Sequence, residues 1–135
     1  MEGEIVNRVA SSPLVTIDLE DIYDRSKRID YDIAENLYEG LIIREQEFRT
    51  FIKTHDWSQY QDANVRIYCS TDAIIPNWAF MLLVTKLEPV SHFVMIGTEE
   101  AFDFALFNLK FEALDWTAFD DKPVVVKGCG DLDIS

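Results

Sequence analysis

Two cysteines are the side chains with the clearest capacity for chemistry in this sequence. Each follows a short run typical of a β-strand and is followed closely by an aspartate, which pairs Cys69 with Asp72 and Cys129 with Asp131. Thiolates bind zinc or iron, and carboxylates add hard oxygen ligands. Because ligands of open α/β sheets collect beyond the carboxyl ends of strands, these four residues are the predicted metal site, with iron or zinc as the expected ion.

Other roles for the cysteines stay open. Cysteine also packs as a small hydrophobe, and two thiols are too few to close a zinc site. The leading hypothesis is a metal- or thiol-ligand-binding accessory protein. The alternatives are a thiol-dependent sulfur carrier that holds a persulfide on Cys69, and a structural or protein-interaction module with both cysteines buried. His55 and His92 stand alone in the sequence, so no catalytic residue is predicted and an enzyme is the less favoured class.

The cysteines end two copies of one segment. Five kinds of position recur at an offset of 59, as from 56 to 115. The matching residues are Asp56 and Asp115, Trp57 and Trp116, Tyr60 and Phe119, Asp62 and Asp121, and Val65 and Val124. One inserted residue then moves the cysteine, since 69 to 129 is 60. The chain is therefore internally duplicated.

Hydrophobic periodicity predicts an α/β fold, in which the duplicated strand–helix units form a partly parallel sheet with flanking helices. Two alternating segments, 15–19 and 29–33, are predicted to form an N-terminal antiparallel strand pair. Later strands are expected at 65–69, 93–96 and 124–127. Helices are expected at 4–10, at 77–87, from Thr98 to about Leu114, and on a face marked by Leu41, Phe48, Phe51 and Ile52.

One domain is predicted to span residues 1–135. It comprises the strand pair (1–39), repeat unit 1 (40–97) and an incomplete repeat unit 2 (98–135). In the first copy, Gly97 lies 28 residues after Cys69, whereas six residues follow Cys129. A repeat unit needs its full complement of elements to bury its apolar face, so we expect a C-terminal helix and strand to be missing.

The helix that begins near Trp78 and ends at Leu87 is apolar nearly all round. Such a helix is buried on several sides or covered by a partner subunit. The sequence therefore predicts a homo-oligomer through this helix as one alternative to a core position.

The charge balance restricts the partners. A formal net charge of -13 repels phosphate backbones and anionic lipid surfaces, so neither nucleic acid nor a membrane is expected as a partner. Cations, basic proteins and neutral ligands remain open. Two cysteines do not make a disulfide framework, and a cytoplasmic protein with reduced thiols is expected.

Four stretches, 1–10, 55–60, 69–76 and 127–131, resemble an uncharacterised bacterial family, domain of unknown function 2480 (DUF2480). The resemblance implies a protein longer by about a helix and a strand, with a further cysteine that would make a third thiol for a metal site. It also implies a genomic neighbourhood of iron–sulfur cluster assembly, and hence iron–sulfur assembly proteins as partners. The family carries no assigned activity, so it implies no catalytic residue.

Overall fold

The computed structural model describes residues 14–128, and alternating strands and helices follow one another along this range. The strands are β1 (Val15–Asp18), β2 (Arg28–Asp32), β3 (Asn64–Tyr68), β4 (Phe93–Ile96) and β5 (Val124–Lys127). The α-helices are α1 (Glu45–Thr54), α2 (Asn77–Leu87) and α3 (Glu99–Ala113). Short 3-10 helices span Ile33–Asn36, Trp57–Tyr60 and Trp116–Phe119. The predicted N-terminal helix at 4–10 lies outside the described residues.

These elements form two compact units, and the division falls within α3. Residues 25–102 make up one unit, here called the inserted unit. Of the described residues, 14–24 and 103–128 make up the other, here called the split unit. The inserted unit contains the sheet β2-β3-β4, and the split unit contains the sheet β1-β5. Every strand pair in both sheets is parallel, which confirms the predicted α/β class.

The predicted antiparallel pair of N-terminal strands is wrong. Instead β1 pairs with β5, with Val15 opposite Val124, and β2 pairs with β3, with Arg28 opposite Asn64. A side-chain turn follows β1 at once, because the Asp18 carboxylate accepts from the Glu20 amide at 3.0 Å. Alternating apolar residues determine which face of a strand is buried, but they do not determine its neighbour. For the same reason, the alternating residues of β1 and β2 do not reveal that the two strands belong to different sheets.

Strand β3 lies at the centre of the inserted unit. Val65 and Ile67 are both 0 % exposed, and they share one core cluster with residues of α1 and α2. Helix α1 contributes Phe48 and Ile52, which are also buried. Leu41, predicted on the same helical face, precedes α1 and is 66 % exposed, because the helix begins only at Glu45.

Helix α2 has the predicted bounds and buries one face. Ala79, Leu83 and Leu87, spaced by four residues, are each 0 % exposed, whereas Met81 is 67 % exposed. The helix is therefore a core element on one side. Oligomerisation through its other side stays a prediction. No helix within residues 14–128 combines the length and apolar character needed to cross a bilayer.

The duplicated segment folds in the same way in both copies. Asp56 precedes the first 3-10 helix with φ -80° and ψ 99°, and its carboxylate accepts from the Ser58 amide at 3.0 Å. Asp115 precedes the second with φ -80° and ψ 93°, and accepts from the Thr117 amide at 3.1 Å. The repeated aspartate is thus a cap, as its position before a helix favours.

The repeated tryptophan joins each helix to the turn that follows it. The Trp57 indole N–H donates to the Ile52 carbonyl at 2.9 Å, and the Trp116 indole N–H donates to the Phe111 carbonyl at 2.8 Å. These two carbonyls lie at the last turn of a helix, where backbone acceptors lack an intrahelical donor. The duplicated Asp-Trp pair is therefore a local structural device.

The matched valines of β3 and β5 give a direct test of burial. We expect Val65→Ala to lower the free energy of unfolding by about 2 to 3 kcal/mol, because it leaves a cavity in a closed core. Val124→Ala, the same change at the equivalent position, should stay within about 0.5 kcal/mol because Val124 is 39 % exposed. Urea titrations of both variants measure the difference, and equal losses would contradict it.

Candidate functional site

Cys69 lies immediately beyond the carboxyl end of β3, as predicted. It is a free, half-buried thiol whose Sγ lies 3.4 Å from the Thr71 hydroxyl. Asp72 is exposed in the loop that follows. Cys129 and Asp131 lie outside the described residues, so the meeting of the two cysteines stays a prediction. Within residues 14–128, no group of three or more His, Cys, Asp and Glu side chains is arranged to hold a metal ion.

Asp32 connects the end of β2 to the loop that carries Cys69. Its carboxylate accepts from the Ala34 amide at 2.9 Å and from the Ser70 amide at 3.1 Å. Partial burial alone would raise the pKa of Asp32, but the hydrogen bonds from Ser70 and Ala34 outweigh it and lower that pKa. The carboxylate is therefore ionised near neutral pH.

A cavity of about 390 Å³ opens beside β2 in the inserted unit. Its walls come from β2 itself, from the 3-10 helix after it, and from α1 with the turn that follows. The lining residues are Ile29, Asp30, Tyr31, Asp32, Glu35, Asn36, Phe51, His55, Gln59 and Tyr60. This volume falls within the range of about 300 to 1,000 Å³ that is usual for small-molecule sites.

His55 occupies the first residue after α1 and faces this cavity. Its Nε2 shares a hydrogen bond of 2.9 Å with the Tyr60 hydroxyl and lies 3.2 Å from the Gln59 side-chain nitrogen. Its ring packs between Phe51 and Trp57, with centroid distances of 4.6 and 4.8 Å. The imidazole is thus held in place by two aromatic rings, and its Nε2 is engaged by Tyr60 and Gln59 at the cavity wall.

Two buried tyrosines add neutral hydroxyls to the wall. Tyr31 donates to the Asn36 side-chain oxygen at 2.6 Å, and its ring lies 6.3 Å from that of Tyr60. Burial raises the pKa of Tyr31, and the neighbouring Tyr60 and Glu35 raise it further. Burial also raises the pKa of Tyr60, with added contributions from Glu35 and Asp56. Both phenols therefore remain protonated at neutral pH.

The charge of the cavity is negative. Asp30, Asp32 and Glu35 line it, whereas no lysine or arginine is among its lining residues. Asp30 is already paired, since Arg66 donates to its two carboxylate oxygens at 3.1 and 3.0 Å. This hydrogen bonding to Asp30 raises the pKa of Arg66. Asp32 and Glu35 are the other two carboxylates that line the cavity.

A family model described as "Protein of unknown function (DUF2480)" matches residues 3–135. The chain belongs to the DUF2480 family. The resemblance noted in the sequence is thereby confirmed. No curated protein and no solved structure matches the chain.

This DUF2480 chain contains its own comparison for the cavity, because the second copy lacks several of the polar residues in its wall. At the offset of 59, the positions of His55, Gln59 and Tyr60 hold leucine, alanine and phenylalanine. Those residues are Leu114, Ala118 and Phe119. The second copy nevertheless forms the same capped turn. The polar side chains are thus unnecessary for the local fold.

The strand side of the cavity shows the same difference. Ile29 pairs with Val65, and Val15 pairs with Val124, so β2 and β1 are equivalent at an offset of 14. Position 31 then corresponds to Ile17, and position 36 to Ile22. The hydrogen-bonded pair of Tyr31 and Asn36 is replaced by two isoleucines in the other copy. Asp32 is retained as Asp18, and both carboxylates cap the amide two residues on.

Sequence reasoning missed most of this cavity. The sequence leaves His55 isolated and marks Tyr60 only as a repeated aromatic position. Tyr31, Glu35, Asn36 and Gln59 were not singled out at all. The available signal was the difference in residue type between the copies, since polar residues in one copy correspond to apolar residues in the other at matched positions.

The raised pKa values of the tyrosines predict a loss of stability at alkaline pH. Below about pH 10 the phenols are protonated in both the folded and the unfolded state. Above it the unfolded state releases protons first, so the free energy of unfolding falls as pH rises towards the folded-state pKa. Urea titrations from about pH 9 to 11 measure this slope. Tyr31→Phe should flatten it and the exposed control Tyr38→Phe should not, whereas equal slopes in all three proteins would contradict the assignment.

Proposed function

We propose that this protein binds a small organic cation, an amine or a guanidinium compound, in the cavity beside β2. The observation that carries the proposal is the set of uncharged and imidazole groups in the wall of the first copy, which the second copy replaces with apolar residues while keeping the same turn. The carboxylates Asp32 and Glu35 have acidic counterparts in Asp18 and Asp21, so it is their combination with these groups that distinguishes the first copy. Groups that the fold does not require, gathered around one cavity, are best explained by a ligand.

The chemistry of the wall favours a cation. Asp32 and Glu35 supply negative charge, and the side chains of His55, Tyr60 and Gln59 supply hydrogen-bonding groups. Aromatic faces attract cations as well, and each such contact contributes about 0.5 to 2 kcal/mol. The net charge of -13 raises the local concentration of cations near the protein.

An organic cation fits this cavity better than a metal ion. Metal ions need three or more ligand atoms at about 2.0 to 2.6 Å, and the described residues contain no group of His, Cys, Asp and Glu arranged in that way. An amine or guanidinium needs only one or two carboxylates, with apolar and aromatic surface around its carbon chain. We therefore propose a cytoplasmic binding protein rather than an enzyme.

Titration with small cations tests this function. We expect agmatine, arginine or choline to raise the melting temperature and to give saturable heats by calorimetry, and glutarate to do neither. Agmatine and choline separate a guanidinium preference from a quaternary ammonium preference. Added salt should weaken the binding, because it screens the attraction between the cation and the carboxylates. The screening (Debye) length is about 8 Å at 0.15 M ionic strength.

Glu35 provides the variant with a matched control. Glu35→Gln removes one negative charge from the cavity and should weaken binding by about 3- to 10-fold. Glu88→Gln makes the same charge change in the inserted unit away from the cavity and should leave the affinity unchanged. Equal effects of the two substitutions, or the absence of binding by all three cations, would overturn the proposed function.

Cys69 supports a second candidate function. The thiol is free at the carboxyl end of β3, and the next amide, that of Ser70, contacts the ionised Asp32. We propose on this ground a role in binding a metal or a thiol ligand, with Cys129, Asp72 and Asp131 as further ligands. Iron–sulfur assembly proteins are the partners that this version implies.

Metal analysis of protein purified without oxygen tests the second candidate. We expect about one iron or zinc per chain or per shared site, lost in both Cys69→Ser and Cys129→Ser and kept in the neighbouring control Ser70→Ala. A chain without stoichiometric metal would contradict the metal version. A Cys69 thiol that alkylates no faster than a model thiol at neutral pH would contradict the sulfur-carrier version.

A further inference from the structure

The two copies differ in the number of strands that pair with the matched strands β3 and β5. In the inserted unit β3 lies between β2 and β4, whereas among the described residues β5 pairs with β1 alone. We propose that the open edge of β5 binds a helix–strand segment with the chemistry of residues 70–97 of this chain. Its strand would pair in parallel with residues 124–126.

The pairing register shows which neighbouring strand β5 lacks within residues 14–128. Val65 lies between Ile29 of β2 and Val94 of β4. Its equivalent Val124 lies beside Val15 of β1, so the counterpart of β4 is what β5 lacks within residues 14–128. The internal duplication thus indicates both the kind of neighbour and its direction.

The matched residues of β3 and β5 also differ in their exposed fractions. Val65 and Ile67 are 0 % exposed, whereas the equivalent Val124 and Val126 are 39 % and 56 % exposed. Val125 between them is 42 % exposed. Three consecutive exposed valines on an edge strand are a ready template for another strand.

The backbone groups on this edge are identified by the first copy. The carbonyls of Ala63 and Ile67 accept from the amides of His92 and Gly97 at 2.8 and 3.1 Å. At the offset of 59 the equivalent acceptors are the carbonyls of Lys122 and Val126. The alternate residues 123 and 127 are already used, since their carbonyls accept from Val15 and Leu19 of the β1 side.

The occupant also needs a helix. Parallel strands are almost always covered by helices, because their connections cross over a face of the sheet. In the inserted unit α2 provides this cover, with Ala79, Leu83 and Leu87 in the same core cluster as Val65 and Ile67. A second copy joined edge to edge through β5 would pair two-fold and antiparallel, and would supply no such helix. The helix–strand segment is therefore the better match.

Hydrogen exchange at β5 tests the proposal. The full chain is extended by a flexible linker and a second copy of residues 70–97, which gives the segment a high effective concentration. We expect the amides of Val124 and Val126, which face the open edge, to exchange at least about tenfold more slowly than in the unextended chain. The amide of Val125, which faces β1, should change less.

The control is the same extension with Met95→Pro in the appended copy only. Met95 lies between Phe93 and Gly97, whose amides donate to β3, so proline there removes a donor from the pairing edge. Protection of Val124 and Val126 should be lost in this control. A free peptide of residues 70–97 added to the unextended chain should also slow the exchange of Val124 and Val126. This second test does not depend on the linker.

Two results would overturn the proposal. One is unchanged exchange of Val124 and Val126 with both the extension and the peptide. The other is a concentration-dependent dimer of the unextended chain that protects the same amides and is abolished by Val126→Lys. That result would assign the edge to a second copy.

Discussion

The two-sided pairing of β3 is the constraint on which the inserted unit depends. Strand β3 is hydrogen-bonded on both edges, and its inward side chains Val65 and Ile67 are closed from solvent. Because β2 and β4 both pair with it, β3 also fixes the edge of the sheet at which Asp32 ends β2, Cys69 follows β3 and Gly97 follows β4. Arg66 reinforces this arrangement, since it donates to Asp30 of β2 and to the Gly97 carbonyl after β4.

The duplication separates structural residues from residues that serve another purpose. Features found in both copies, such as the capping aspartate and the tryptophan that donates to a helix-end carbonyl, are needed to build the turn. Features found in one copy require another explanation. The hydrogen-bonded tyrosines and histidine beside β2 belong to the second group. A single chain thus provides a comparison that is ordinarily made between relatives.

Much of the fold could be predicted from the sequence because its signals are local. Pro76 and the apolar run after it define α2, and the bounds predicted for α2, β4 and β5 agree with the structure. Strand partners could not be predicted in the same way, since alternation in β1 and β2 specifies a buried face and not a neighbour. The cysteines stood out by residue type alone. The cavity did not, because its polar groups come from three separated segments that only the folded sheet brings together.

The order of the strands has a consequence for how the chain folds during synthesis. The inserted unit is continuous from residue 25 to 102, so the residues that make its internal contacts have all been synthesised before β5. Strand β1 emerges first but pairs with a strand that lies 109 residues later, since 15 to 124 is 109. Closing so long a loop is slow. The N-terminal strand must therefore wait, unpaired with its native partner, while the middle of the protein folds ahead of it.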